Sequence, residues 1–216
     1  MNDEFVSWCD KSFLQLNISK TKNMAIDFRR NQSCSPPPTY INGNCIEMVD
    51  QYKYLRTMID NKLKFNTDTI WGQQRLYFLR KLNSFNVDKV MLSLFYKSFI
   101  ESVLTFSFIA WYGGISLRDK NNLSHIVKVA GKLIGCPQVS LLNIYEKQVT
   151  QKAMSILDCK NHPLHCSFEA LPSGRRLRVP LSKSNRSKNS FIPSAIRLLN
   201  LHNSLHIPVN VFESDD

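Results

Sequence analysis

Apolar positions change their period along this chain, and the change divides it. Phe5, Trp8, Cys9, Phe13 and Leu16 recur at helical spacing, so the chain opens on an amphipathic helix. It does so without a start-up segment, as a fragment or a genuine short N-terminal helix would. Met24, Ile26 and Phe28 then alternate with Ala25 and Asp27, which predicts a half-buried strand. Residues 31–39 (NQSCSPPPT) predict a loop, because consecutive prolines exclude helix and central strand. YINGNCIEMV (40–49) predicts a hairpin turning at Asn42-Gly43, and YKYLRTMID (52–60) a further strand.

From residue 73 the period becomes helical. Leu76, Leu79, Leu82 and Phe85 share a face, and Asn86 is placed to cap an apolar helix from Val87 to Trp111. Ser116 opens a third helix with Leu123, Ile126, Val127, Ala130, Leu133 and Ile134 inward, stopped by Gly135 and Pro137. Ser140 opens a fourth, with the stripe Leu141, Tyr145, Val149, Ala153 and Ile156. A short amphipathic helix runs from Phe191 to Leu201, and ESDD reads as a frayed end. The expected class is α+β: a small helix and hairpin region (1–65), a mainly α-helical bundle (66–158), and an extended, partly disordered basic segment (159–216) carrying a short helix.

Charge adds a partner to this picture. The chain of 216 residues has a formal net charge of +11, which points to a polyanion. Arg175, Arg176, Arg178, Lys183, Arg186, Lys188 and Arg197 stand in residues 171–199 without an acid among them, and each can displace a counterion from a phosphate backbone. Ser102 to Leu117 carries no charge, but it is shorter than the ~20 residues of a bilayer-crossing helix and is interrupted by Gly113-Gly114. A buried helix and turn is expected there, with no membrane partner. Six cysteines show no disulfide framework and no signal peptide precedes them, so reduced thiols in a cytoplasmic or nuclear setting are expected.

A sequence of blocks then carries a resemblance. LNISKTKNMAIDFRR, INGNCIEMVDQYKYL, QQRLYFLRKLNSFNV, FIESVLTFSFIAWYG, HPLH, LPSGRRLRVP and NSFIPSAIRLLN are similar, in this order, to blocks of vertebrate LINE-type (non-LTR) retrotransposon reverse transcriptases. The resemblance runs from about Phe5 to Asn200 and implies the end of a palm, a helical thumb and a basic C-terminal region. It implies that Lys20, within Asn17-x-x-Lys20-Thr21, lies near phosphates, with Lys22 beside it. It also implies that Tyr54 and Leu55 belong to a primer-gripping hairpin. The intact parent binds two magnesium ions on an aspartate pair.

This chain departs from the parent at the centre of that chemistry. Its one Asp-Asp is Asp215-Asp216 at the end, and Asp27, Asp50 and Asp60 fall on separate elements. Arg56 replaces the glycine of the primer-grip block. No catalytic residue, cofactor or small-molecule substrate is therefore expected, and RNA or DNA backbone is the expected partner. Cys159, His162, His165 and Cys166 form a metal-like cluster, but all four lie within eight residues instead of in two separated pairs. A loop is expected there.

Two other readings remain open. QQRLYFLRKLNSFNV also resembles the segment labelled N-terminal domain of AlkB-type alkylated-DNA-repair proteins, in which a 2-oxoglutarate/iron dioxygenase is joined to a tRNA methyltransferase. The iron triad of such an enzyme needs His-x-Asp, which this sequence lacks, and no glycine-rich methyltransferase loop follows a strand. The third reading is a basic helical interaction module.

Overall fold

The computed structural model describes residues 2–27, 37–54, 57–62 and 67–202. The fold is α+β, and the chain divides into two compact units, Met1–Thr67 and Asp68–Asp216. The segment from residue 159, expected as a separate extended tail, belongs to the second unit. Sparse apolar anchors inside the basic stretch, Phe168, Leu177, Ala195, Ile196 and Leu199, are buried and draw it in.

In the first unit α1 (Asn2–Lys11) buries Cys9. It closes with Leu14 N–H donating to Cys9 O (2.9 Å) and Phe13 N–H to Asp10 O (3.2 Å), while Phe13 takes the left-handed position (φ 55°). This is a Schellman closure with phenylalanine where glycine is usual. It cuts short the expected stripe: Phe13 lies outside the helix, and the Phe5 and Trp8 rings stack on its exposed side.

The Asn42-Gly43 turn is as expected. Both residues have positive φ (48° and 75°), which suits a two-residue link between β1 (Tyr40–Ile41) and β2 (Asn44–Cys45). The stretch 52–60 is instead a second antiparallel hairpin, β3 (Gln51–Tyr54) with β4 (Thr57–Asp60), pairing Tyr52 with Ile59 and Tyr54 with Thr57. Period-two alternation reads the same for one long strand as for two short strands facing each other. The expected strand at 24–28 is reduced to one parallel bridge, Asn23 with Met48. Asn23 takes both hydrogen bonds to the 47–49 segment, and the described residues after it join no ladder. Phe28 and residues 31–36 lie outside the described residues.

In the second unit α2 (Thr67–Ser84) begins earlier than its apolar period indicated, and it buries Leu76 and Leu79 but leaves Phe85 exposed. Asn86 ends this helix and does not cap the next. It sits at φ 53°, with its N–H on Asn83 O and the following Val87 N–H on Leu82 O. Asparagine tolerates that left-handed position. The cap of α3 (Lys89–Phe95) is Asp88, whose carboxylate accepts from Val90 N–H at 3.0 Å.

The apolar run expected as one helix is broken. After α3 come a π-helical turn (Tyr96–Glu101), α4 (Ser102–Leu104), α5 (Phe108–Trp111) and a 3-10 turn (Tyr112–Gly114). Ser102 and Thr105 hydroxyls donate back to Ser98 and Glu101 carbonyls, which loosens the ladder, and Ser107 is left-handed at φ 51°. The two halves bend by 42°, and among the described residues no single helix is long and apolar enough to cross a membrane.

The break brings aromatic rings together. Phe108 lies 4.3 Å from Tyr112, 5.1 Å from Trp111 and 5.9 Å from Tyr145, and all four are buried. Two long helices wall this core. Ser116 caps α6 (Leu117–Ile134) and left-handed Gly135 (φ 80°) ends it; Ser140 caps α7 (Leu141–Leu157). Leu123, Ile126, Val127, Ala130 and Ile134 are buried as expected, with Leu133 half-buried, and the whole α7 stripe is buried. α8 (Asn185–Lys188) and α9 (Phe191–His202) complete the unit, with α9 packed on α7.

Candidate nucleic-acid interface

The basic segment is held in a definite shape. Residues 169–178 double back on themselves: Arg178 N–H donates to Glu169 O (2.7 Å), Leu171 N–H to Arg176 O (2.8 Å) and Gly174 N–H to Leu171 O (2.8 Å). Gly174 turns the tip at φ 66°, a conformation in which a side chain is strained. One residue of the returning limb, Leu177, is buried. Its backbone is bound on both sides by one side chain: Leu177 N–H donates to Asn200 Oδ1 and Asn200 Nδ2 donates to Leu177 O, each at 2.9 Å. The amide of α9 thus replaces a neighbouring strand.

This clamp fixes the direction of the cations. With Leu177 turned inward, Arg175, Arg176 and Arg178 are exposed around it. Ser184 then caps the single turn of α8, accepting from Ser187 N–H, and Lys183, Arg186 and Lys188 are exposed on and before that turn. Arg178 lies 3.9 Å from Glu169, an acid just outside the acid-free window, and both side chains are well exposed. Such a pair contributes little in water. Arg197 has a different role. It donates to Lys188 O (2.6 Å) and Ser194 Oγ (3.2 Å), so this cation ties α8 to α9.

The hairpin and turn rest on a tight seat. A Cβ on Gly113 would fall 2.3 Å from Asn189 O and 2.8 Å from the Tyr145 hydroxyl, so only glycine admits the chain between α8 and α9 there. Burial pushes the Tyr145 phenol up from its ordinary range, while Ser194 and Arg197 pull the other way. The Tyr145 oxygen itself meets no partner in hydrogen-bond geometry. Lys120 sits 5.1 Å over the Tyr112 ring, and burial lowers its pKa.

In the first unit, Asn17, Lys20 and Thr21 do form one local structure. Asn17 Oδ1 accepts from Ser19 Oγ (2.7 Å) and Lys20 N–H (3.1 Å), and Thr21 Oγ1 donates to Asn17 O (2.9 Å). The turn leaves Lys20 exposed. Lys22 is half-buried and ion-paired to Glu47, so much of its charge is already answered. Tyr54 ends β3, paired with Thr57. Leu55 and Arg56, and likewise Asp215-Asp216, lie outside the described residues.

The cysteine and histidine cluster does not close around a point. His162 Nδ1 accepts from Leu164 N–H (3.1 Å) and Cys166 Sγ approaches Pro163 O (3.7 Å), so these side chains serve the loop itself. Among the described residues no three His, Cys, Asp or Glu side chains are grouped to hold a metal ion. Neither the Asn200 clamp nor the structural role of Arg197 was legible in the sequence. Nothing in the pattern links a helix asparagine to a leucine so far upstream.

The family model described as "Alkylated DNA repair protein alkB homolog 8, N-terminal" matches residues 71–102. The matched stretch runs from α2 through α3 to the end of the π-helical turn and leaves most of the chain unmatched. No curated protein matches the chain. No solved structure matches it.

Proposed function

We propose that this chain is a non-catalytic module that grips the phosphate backbone of RNA or DNA. The observation that carries this is the cationic surface of Arg175, Arg176, Arg178, Lys183, Arg186 and Lys188, held on a folded frame by the Asn200 clamp. A mobile tail would lose much of its attraction to the entropy of ordering on binding; a preformed hairpin has already met that cost. The finer form of the reading is descent from the palm end and thumb of a LINE-type reverse transcriptase, supported by the order of sequence blocks. On this reading the chain is intracellular and performs no polymerisation, because the one Asp-Asp of its sequence, Asp215-Asp216, follows the palm and thumb blocks instead of preceding them. RNA-templated primer extension with magnesium would then yield no product.

The test is a binding titration with a labelled RNA–DNA hybrid over a salt series. Affinity should fall linearly on a log–log plot, with a slope of about −0.7 to −0.9 for each phosphate contacted. Absence of binding at low salt would end the proposal.

A second reading is favoured by the family match at 71–102: an AlkB-homologue N-terminal-type domain that assists a partner modifying nucleic acid. It also predicts backbone contact, but with preference for folded tRNA over the hybrid. Competition between those two substrates separates the readings.

A further inference from the structure

The residues matched at 71–102 carry a feature that phosphate contact does not explain. At helical spacing, Tyr77 and Phe78 stand on the side of α2 opposite the buried Leu76 and Leu79, and the exposed Phe85 follows just beyond the helix end. On α3, Val90 and Leu94 stand opposite the buried Leu92, and Phe99 follows on the π-helical turn. All six are more than half exposed, Phe85 at 75% and Val90 at 73%. Both helices turn their inner faces to the same wall. A Cβ at Gly72 of α2 would touch Ile126 of α6, and α3 also packs on α6. The Arg75 guanidinium donates to the Phe99 carbonyl, tying the middle of α2 to the turn after α3. Single exposed apolar residues are ordinary, but six in so short a stretch, with Tyr77, Phe78, Val90 and Leu94 on the outer faces of α2 and α3, are not.

The surrounding charge selects the occupant. Arg80, Lys81 and Lys97 are exposed in the same stretch. The two acids of the stretch are occupied otherwise, Asp88 as a helix cap and Glu101 half-buried. Lys81 leans to 5.9 Å from the Tyr77 ring centre, so cation and aromatic share one surface. A second copy of this chain would bring the same positive rim against itself, which is repulsive. We propose that the outer face of α2 and α3 docks an amphipathic helix of another protein, with its apolar stripe on Phe78, Phe85 and Leu94 and its acidic flanks on the lysine rim. This docking is separate from phosphate contact and does not depend on it.

The probe is a synthetic helical peptide with leucines at i, i+3, i+4 and i+7 and glutamates on its other faces. Controls are a scramble of the same composition and a lysine-for-glutamate version. Fluorescence anisotropy against the full chain should show binding of the first peptide alone. Phe78→Ser with Leu94→Ser should weaken it at least ~tenfold, as loss of an interface anchor does. Both sites are exposed, so an unchanged circular dichroism spectrum establishes that the variant is folded. Equal binding of the scramble, or unchanged affinity in the double variant, overturns the proposal. Wild-type self-association that the double variant abolishes would assign the face to a second copy and overturn it too. So would an oligonucleotide that binds the wild type and loses affinity in the double variant.

Discussion

Asn200 binds Leu177 through both of the leucine's backbone groups, 23 residues apart in the chain and at 2.9 Å in each direction. The pair is partly buried, so removing the amide leaves a donor and an acceptor without their partner. Asn200→Ala should cost about 1–3 kcal/mol for that desolvated pair. Asn200→Asp keeps the acceptor but sets a carboxylate against the Leu177 carbonyl, and should also destabilise. Denaturant unfolding measures the loss, and limited proteolysis between Pro172 and Val179 should quicken in both variants. Unchanged unfolding in both would show that the hairpin is held by something else.

The fit of the 3-10 turn against Asn189 makes a contrast between adjacent glycines. Gly113→Ala puts a methyl group 2.3 Å from a backbone oxygen that flexible side chains cannot move aside. It should cost about 1–3 kcal/mol, the range for overpacking, and displace α8 and α9 together. At Gly114 an added Cβ meets nothing within 4 Å, so Gly114→Ala should stay within about 0.5 kcal/mol of wild type. Equal melting temperatures for the two variants would contradict the seat described for Asn189.

How far the sequence disclosed these relations depended on their range. Caps written in three or four residues were legible: Ser116, Ser140 and Gly135 do what their positions promised. So was the α7 stripe, because one helical period repeated over four turns has few alternative readings. Signals of equal strength failed where two local structures share one pattern. Asn86 fits a helix start and a left-handed helix end alike, and the competing Asp88 took the start. The break at Ser107 was hidden because an apolar run does not show which of its residues lose the helical ladder. In the interface the cations themselves were legible from charge. Their geometry was not, since it depends on the buried Leu177 and on Asn200, which contribute no charge.

Glu101 gives a pH signature with a definite sign. Burial pushes its carboxyl up from the ordinary carboxylate value, and Lys97 pulls it partly back. The folded state therefore binds the proton more tightly than the unfolded state. As pH rises through the carboxylate range the folded state retains a proton that the unfolded chain has released, so stability falls with rising pH there. Glu101→Gln removes this dependence. Relative to wild type the variant should gain stability as pH is raised from the acid side through that window, and hold the gain at neutral pH. Chemical denaturation of both proteins over a pH series reads it; a wild-type advantage growing with pH would reverse the assigned direction.

The cations of the hairpin and of α8 differ in what their loss should do. Arg176→Ala and Lys183→Ala remove exposed charges, so each should lower the salt slope of nucleic-acid binding by about 1 without altering unfolding. Arg197→Ala should behave in the opposite way. That side chain is bonded to Lys188 O and Ser194 Oγ, so its removal loosens α8 from α9 and lowers stability. Its binding defect should follow from disorder of the turn and should be rescued in part by Arg197→Lys, which restores charge but not both hydrogen bonds. Arg178→Ala is the intermediate case, because Glu169 stands 3.9 Å away and already screens it. Its slope should change by less than that of Arg176→Ala. If all four variants changed slope equally and none changed unfolding, the segment would be acting as an unstructured charge cloud, and the clamp would have no part in binding.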